Sequence, residues 1–424
     1  MRPLMILAVV ILNLAADSPQ TLARRQFADD KLGLMFHWGV GSLLGKGEWV
    51  MEKEALPSSQ YTRLAGQFNP TKFDAEAWVK VTKGVGARYV VFTAKQHDGF
   101  CMYDSKLTAF DVVEATPYAK DPLKALAEAC HKGGLKLVVY YSLLDWHHPD
   151  YFPRGESGKS AGRPESGEWS NYVTYYQGQL RELCTGYGPI AGVWLDGMTD
   201  RPGANWDLDT TYRLIHELQP QALIGNNHHR PPGPGEDFAI FEQDAPAQTP
   251  PTAVLKETVI SLNNSWGYMA RDLDYKSNNE LVRLLVTTVA RGSNLLINVS
   301  VKPDGTPPVE ALERLTTLGQ WFEAHGEAVR GTRPVANAAQ AWGVFVAKSD
   351  VIYLHVFDTS LPITLASKFA GYDVRQLGAA ERLTLTAGVD GFKVEIPPVA
   401  KPATDTILVI RPMSHSVKPA GDRP

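Results

Sequence analysis

The 424-residue chain is poor in cysteine, with only Cys101, Cys130 and Cys184. An odd count without CxxC spacing excludes a disulfide framework and a zinc ribbon, and free buried thiols are the expectation. Neither sign of charge is in excess: the formal net charge is −4, which gives no case for nucleic acid or an anionic membrane as partner. After the N-terminal residues, no apolar run is long enough to span a bilayer, so stable membrane association is not expected. No glycine-rich GxGxxG follows the first strand, which weakens a dinucleotide-binding reading. Histidines form no HxH or HExxH pair, and those in His147–His148 and His228–His229 would face opposite sides of a strand. No GxSxG elbow offers a serine nucleophile. Metal and cofactor are both expected to be none, and nothing in the chain reports its oligomeric state.

What is present describes an ordinary globular protein. Apolar residues make up 44% and charged residues 21%, enough to bury a real core, and the length suits one large domain plus a smaller one. Ten Trp and sixteen Tyr supply rings of the kind that wall apolar and sugar-like ligands. At the N-terminus Arg2 precedes an apolar run from Leu4 to Leu14 and then Ala15 and Ala16. That is the build of a secretory signal over residues 1–20, and it predicts a secreted or periplasmic protein.

Short apolar runs alternate with amphipathic stretches from about Leu32. The spacing predicts strands at 33–39, 88–95, 135–146, 190–196, 221–229 and 294–300, with helices at 73–87, 121–134, 171–188, 280–293 and 308–329. Strands apolar on both faces belong to a parallel sheet covered by helices. Repeat number and length favour a (β/α)8-like barrel, regular or irregular, over residues 21–335. Beyond it the texture changes to short alternating segments such as DVIYLHVF and GFKVEIP, which predict a small β-sandwich over 336–412 and a loose tail at 413–424.

In a (β/α)8 barrel the active face is built where strands end, and five successive ends carry polar or aromatic residues. They hold His37 and Trp38, with Glu48 and Trp49 in the next loop; Gln96, His97 and Asp98; Tyr141, Asp145, Trp146, His147 and His148; Trp194 and Asp196; and Asn226, Asn227, His228 and His229. Each alone is an ordinary turn or core residue, but turns have no reason to prefer His and Trp. Carboxylates among rings and imidazoles fit glycoside hydrolysis best, one carboxylate attacking the anomeric carbon while another group protonates the leaving oxygen. A metal-dependent barrel hydrolase and a catalytically inactive glycan-binding barrel stand as alternatives.

KLGLMFHWG, GEW, GARYVVFTAKQHDGF, SLLDWHHPDY, VWLDG, EDFAIFEQ, SWGY and GSNLLINV follow in this order. Together they resemble glycoside hydrolase family 29, the retaining α-L-fucosidases, over roughly residues 24–335. The resemblance implies an irregular barrel followed by a β-sandwich, and a fucosylated oligosaccharide or glycoconjugate as substrate. It implies Asp196 as nucleophile, held ionised by a pKa kept low by imidazole and amide donors. For the acid/base it offers Glu242, the favoured candidate, then Glu257, with Glu236 third. Fucose binding carries over to His37, Glu48, Trp49, His97, Tyr141 and Trp194. Two departures from the family pattern, Gln96 where many members have His and Asn227 near an Arg position, leave a related L-sugar such as L-galactose open as the substrate.

Overall fold

The computed structural model of the protein describes residues 17–244, 254–389, 391–396 and 405–413. The leader expected over 1–20 falls, as far as Ala16, outside the described residues, as does most of the expected tail.

Eight parallel strands close into a barrel in sequence order. They are β1 (Leu32–His37), β2 (Tyr89–Lys95), β3 (Lys136–Ser142), β4 (Gly192–Asp196), β5 (Leu223–Asn226), β6 (Phe238–Glu242), β7 (Leu255–Ser261) and β8 (Asn294–Ser300), with β1 paired to β8. Both faces of most strands are buried, as the unbroken apolar runs require. The inward face carries Met35, Tyr89, Val91, Val138, Tyr140, Trp194, Phe238, Ile240, Val259 and Leu296 as one packed cluster. The outward residues join the surrounding helices in a larger core.

Local chemistry starts and stops those helices. Asp74 and Asp121 accept the backbone N–H of Ala77 and Lys124, capping Ala75–Gly84 and Pro122–Gly133. Ser277 and Glu280 form a reciprocal capping box on Asn278–Ala290. A further helix, Pro19–Asp30, closes the N-terminal mouth of the barrel. Its Phe27 ring packs on Tyr89 and Phe238, and Arg24 pairs with buried Asp237 at 2.8 Å. The βα alternation lapses between β5 and β6, where Pro231, Pro232, Gly233, Pro234 and Gly235 permit no helix.

From Arg333 the chain builds two antiparallel sheets. The larger contains β9 (Arg333–Gln340), β10 (Gly343–Lys348), β11 (Val351–Val356), β13 (Tyr372–Gln376) and β16 (Thr406–Pro412). The smaller contains β12 (Ile363–Leu365), β14 (Thr384–Gly388) and β15 (Gly391–Glu395). Trp342, Leu354, Val374, Val394 and Leu408 fill the space between them. The sheet is tied to the barrel by fully buried His355. Its Nδ1 lies 2.6 Å from Asp405, and its Nε2 lies 3.2 Å from the carbonyl of Ala328.

Candidate active site

Past the C-terminal ends of the barrel strands lies a cavity of about 430 Å³, the size of an ordinary small-ligand site. His37, Glu48, Trp49, Gln96, His97, Trp194, Asp196, Asn227 and Glu242 all line it. The barrel thus brings together these nine side chains and His229, all singled out in the sequence. The candidates Tyr141, Glu257 and Glu236 lie elsewhere.

Asp196 is the last residue of β4, and Trp194 two residues earlier points to the same interior face. Gly197 turns the chain away with φ +81°, and an added Cβ would stand 2.6 Å from that of Leu144, so the turn needs glycine. The N–H of Gly197 donates to Asp196 Oδ1 at 2.7 Å, Asn227 Nδ2 donates to the same oxygen at 3.1 Å, and the Tyr140 hydroxyl donates to Oδ2 at 2.7 Å. The expectation of a low pKa needs correction. Burial pushes the Asp196 carboxyl above its ordinary value, and these three donors only pull part of the way back.

Glu242 ends β6 and faces Asp196 across the cavity. One nitrogen, Asn227 Nδ2, donates to Glu242 Oε1 at 2.8 Å and to Asp196 Oδ1 at 3.1 Å. The two carboxylate oxygens are therefore at most about 6 Å apart, the spacing of retaining carboxylate pairs (roughly 5–5.5 Å) rather than of inverting ones (roughly 6.5–9.5 Å). Burial first, and the charge of Asp196 second, raise the Glu242 pKa. Asp196 has three donors and Glu242 one, so hydrogen bonding favours the ionised form of Asp196 more than that of Glu242.

The remaining walls are polar on one side and aromatic on the other. Ser142 Oγ donates to the carbonyl of Leu144 at 2.6 Å, so it accepts from His97 Nδ1 at 2.7 Å. This places the proton of the neutral ring on Nδ1 and leaves Nε2 as an acceptor in the cavity. Burial lowers the His97 pKa to about 3, so the ring stays neutral. Gln96 bridges the strand ends: its Nε2 contacts His37 Nε2, and its Oε1 accepts from the N–H of His97 at 2.9 Å. Glu48 accepts the N–H of Gly267 at 2.7 Å. A Cβ on Gly267 would come within 2.7 Å of the Glu48 backbone nitrogen, so glycine allows the SWGY loop to close on Glu48. Trp49 meets His97 and Trp146 edge-on at 5.3 and 5.0 Å.

Tyr141 is placed wrongly by the sequence reading. Strand β3 turns Val138 and Tyr140 inward, so Tyr141 faces the helix Trp169–Gly186, where its hydroxyl donates to Gln179 at 2.7 Å. Tyr140 lines the cavity instead and stacks on Trp194 at 5.2 Å. Removing the Tyr140 hydroxyl (Tyr140→Phe) should lower kcat/KM about ten- to a hundredfold, the worth of a hydrogen bond to a charged group. Tyr141→Phe should instead leave turnover near wild type and cost about 1–2 kcal/mol in denaturant unfolding, because Gln179 loses its partner. Equal kinetic effects of the two would contradict the assignment.

Glu257 also lies off the site, in the first half of β7 beneath Trp194. It accepts from Trp194 Nε1 at 2.9 Å and from the Tyr89 hydroxyl at 2.5 Å. Glu236 is buried against His228 at 2.9 Å and Tyr212 at 2.6 Å. The other strand-end residues support the frame. Asp98 accepts from Tyr61, Asp145 pairs with buried Lys95 at 3.1 Å, His147 stacks on Phe110, and Asn226 donates to Tyr212. Besides Tyr140, the sequence reading did not single out Met35, Val259 and Trp266, or Glu156, Ser157, Thr199 and Asp200, as cavity residues. Trp266 stands in the quoted SWGY motif and was within reach. Ser157 is carried by the loop after β3 and is fixed by two hydrogen bonds to Asp200, at 2.8 and 2.6 Å, a contact no spacing rule reveals. The three cysteines are free and buried, as expected.

Comparison with known proteins agrees with this geometry. The profile of the α-L-fucosidase family matches residues 15–327. The plasma α-L-fucosidase of Pongo abelii is 29% identical over 411 residues, covering 88% of this chain and 85% of that protein. The solved structure of α-L-fucosidase isoenzyme 1 from Paenibacillus thiaminolyticus superposes with a TM-score of 0.83 at 31% identity, covering 92% of this chain and 99% of that one. A family 29 α-L-fucosidase of Bacteroides thetaiotaomicron, solved as a trapped covalent intermediate, superposes with a TM-score of 0.81 at 26% identity, covering 92% and 96%. The chain belongs to the α-L-fucosidase family of glycoside hydrolases, family 29.

Proposed function

We propose that Asp196 is the nucleophile and Glu242 the general acid/base with which this enzyme, a retaining exo-glycosidase, hydrolyses terminal α-L-fucosyl linkages. The observation that carries the residue roles is the Asn227 amide shared between the two carboxylates. Asp196 attacks C1 of the fucosyl unit as Glu242 passes its proton to the glycosidic oxygen, and the leaving alcohol departs through an oxocarbenium-like transition state. The charge of Asp196 is now consumed in an ester, so the Glu242 pKa falls and its carboxylate takes a proton from water. That water attacks C1, Asp196 leaves, and L-fucose is released with its configuration retained.

The sugar's hydroxyls meet the Nε2 acceptor of His97 and the polar groups of His37, Glu48 and Gln96. Its 5-methyl group has a place against Met35, Trp194, Val259 and Trp266, which form an apolar side of the cavity. A hydroxymethyl at that carbon would lose hydrogen bonds to water without replacement, which favours fucose over L-galactose. Glu156, Thr199 and exposed His229 line the outer part of the cavity and receive the leaving sugar. No helix among the described residues is long and apolar enough to cross a membrane. The apolar run Leu4–Leu14 supports export, and N-terminal sequencing of the exported enzyme tests it by finding that run removed.

Cleavage of an aryl α-L-fucoside by wild type, with loss in Asp196→Asn and Glu242→Gln, tests the residue roles. Asn227→Ala tests the shared donor. Asn227 lowers both carboxyl pKa values, so its removal raises both. Activity needs Asp196 ionised and Glu242 protonated, so both limbs of the kcat/KM profile should move to higher pH. Movement of the acid limb to lower pH would contradict the assignment.

A further inference from the structure

We propose that Glu257 is a positioning residue of the fucosidase site, holding the indole of Trp194 from beneath and, through that ring, the hydrogen bond from Tyr140 to Asp196. The proposal rests on the residue roles given above for Asp196 and Glu242. Glu257 Oε1 accepts from Trp194 Nε1 at 2.9 Å, and Trp194 stands two residues before Asp196 on β4. The Tyr140 ring stacks on that indole at 5.2 Å with an interplanar angle of 28°, and its hydroxyl reaches Asp196 Oδ2 at 2.7 Å. A continuous line of contacts therefore runs from β7 through the barrel interior to the nucleophile.

The Glu257 carboxyl accepts a hydrogen bond at each of its oxygens. Its Oε2 lies 2.5 Å from the Tyr89 hydroxyl, which also bonds the Asn294 side chain. Asn294 Nδ2 donates to the carbonyl of Phe27 at 2.7 Å. Tyr89 donates to Glu257 Oε2 and Trp194 donates to Oε1, so neither carboxyl oxygen is left over. Among the described residues no cation pairs with Glu257. The register partners of Glu257 are Ile240 on β6 and Asn294 on β8. On the lower cavity that it borders, Asp30 and Lys136 pair with each other at 2.6 Å, and His131 reaches the carbonyl of Pro189. Burial pushes the Glu257 carboxyl up to about 7, against the hydrogen bonds of Tyr89 and Trp194. Ionisation above that point puts a buried charge without a counter-ion under Trp194.

The test uses the full enzyme with α-L-fucosyl fluoride, whose leaving group needs no proton from Glu242, so the alkaline limb no longer reports that residue. Wild type should lose at least about threefold in kcat/KM between about pH 6 and pH 8.5, and Glu257→Gln, a neutral isostere, should stay within about threefold of wild type near pH 6 without that fall. Glu257→Ala, folded by circular dichroism, should lose at least about tenfold in kcat with no recovery in azide, because Trp194 loses its acceptor. The proposal is overturned if Glu257→Gln keeps the alkaline fall or is as impaired as Glu257→Ala. It is equally overturned if folded Glu257→Ala stays within about twofold of wild type, or if azide restores it. Loss of turnover in wild type itself would strike the fucosidase reading, whereas these variant outcomes strike Glu257 alone.

Discussion

Replacing Asp196 with alanine is expected to lower kcat/KM for α-L-fucosides by on the order of 10⁴-fold, because no other group at the site can take over attack on C1. The barrel should survive the change. Asp196 stands at the cavity face of β4, and its burial is a cost to the fold, as its raised pKa shows. A carboxyl raised in the folded state contributes its full stability below its unfolded pKa, and that contribution is lost as pH rises through the folded value. At neutral pH the parent therefore carries the penalty of a buried charge, and Asp196→Asn should melt at or above the parent temperature. Azide gives the stereochemical signature. Entering where the aspartate carboxylate stood, it attacks the α-fucoside directly and yields β-L-fucosyl azide, of inverted configuration. A variant that still produced free α-L-fucose at appreciable rate would remove Asp196 from the first step.

Glu242→Ala carries the second large effect, and its size depends on the leaving group. For sugar leaving groups, which need protonation, the loss is expected to be about 10²–10⁴-fold. For an activated aryl fucoside the first step needs little acid, so the fucosyl-enzyme accumulates and its hydrolysis becomes limiting. Azide needs no general base and should restore turnover, attacking from the face that water normally takes, so the product is α-L-fucosyl azide. The two variants thus yield opposite anomers from one substrate. The part of the alkaline limb that reflects Glu242 losing its proton should also vanish, leaving only the shallower fall assigned to Glu257. Glu257→Ala should give neither anomer, since its carboxyl lies under Trp194 and faces the other end of the barrel.

The parts of this site that were legible in sequence are those tied to strand ends. Asp196 closes an apolar run before a glycine, and that pattern alone places it on the rim of a parallel barrel. His37, Gln96, His97 and Trp194 follow by the same rule. What was not legible depends on register and depth. Tyr140 and Tyr141 are neighbours of the same type, and which one faces inward is decided by pairing with β4, where Tyr140 aligns with Trp194 and Ser142 with Asp196. Glu242 and Glu257 both lie on strands, but one ends β6 and the other sits near the start of β7. Whether a strand residue is at the rim or in the interior is set by where the barrel closes. Asn227 read as a departure at a binding position, whereas the fold makes its amide the link between both carboxylates. The raised pKa of Asp196 could not be read either, because burial is a property of the assembled barrel.

The most direct measurement of the central claim, covalent attack by Asp196 on C1, is reaction of wild type with 2-fluoro-fucosyl fluoride followed by peptide mapping. The fluorine at C2 destabilises the oxocarbenium-like transition states, and the fluoride leaving group keeps the first step faster than the second, so the ester accumulates. The fluorofucosyl mass should be found on the peptide containing Asp196, esterified at that residue. Modification of Glu242 instead, or turnover of fucosides by an enzyme that forms no adduct, would contradict the assignment of Asp196 as nucleophile.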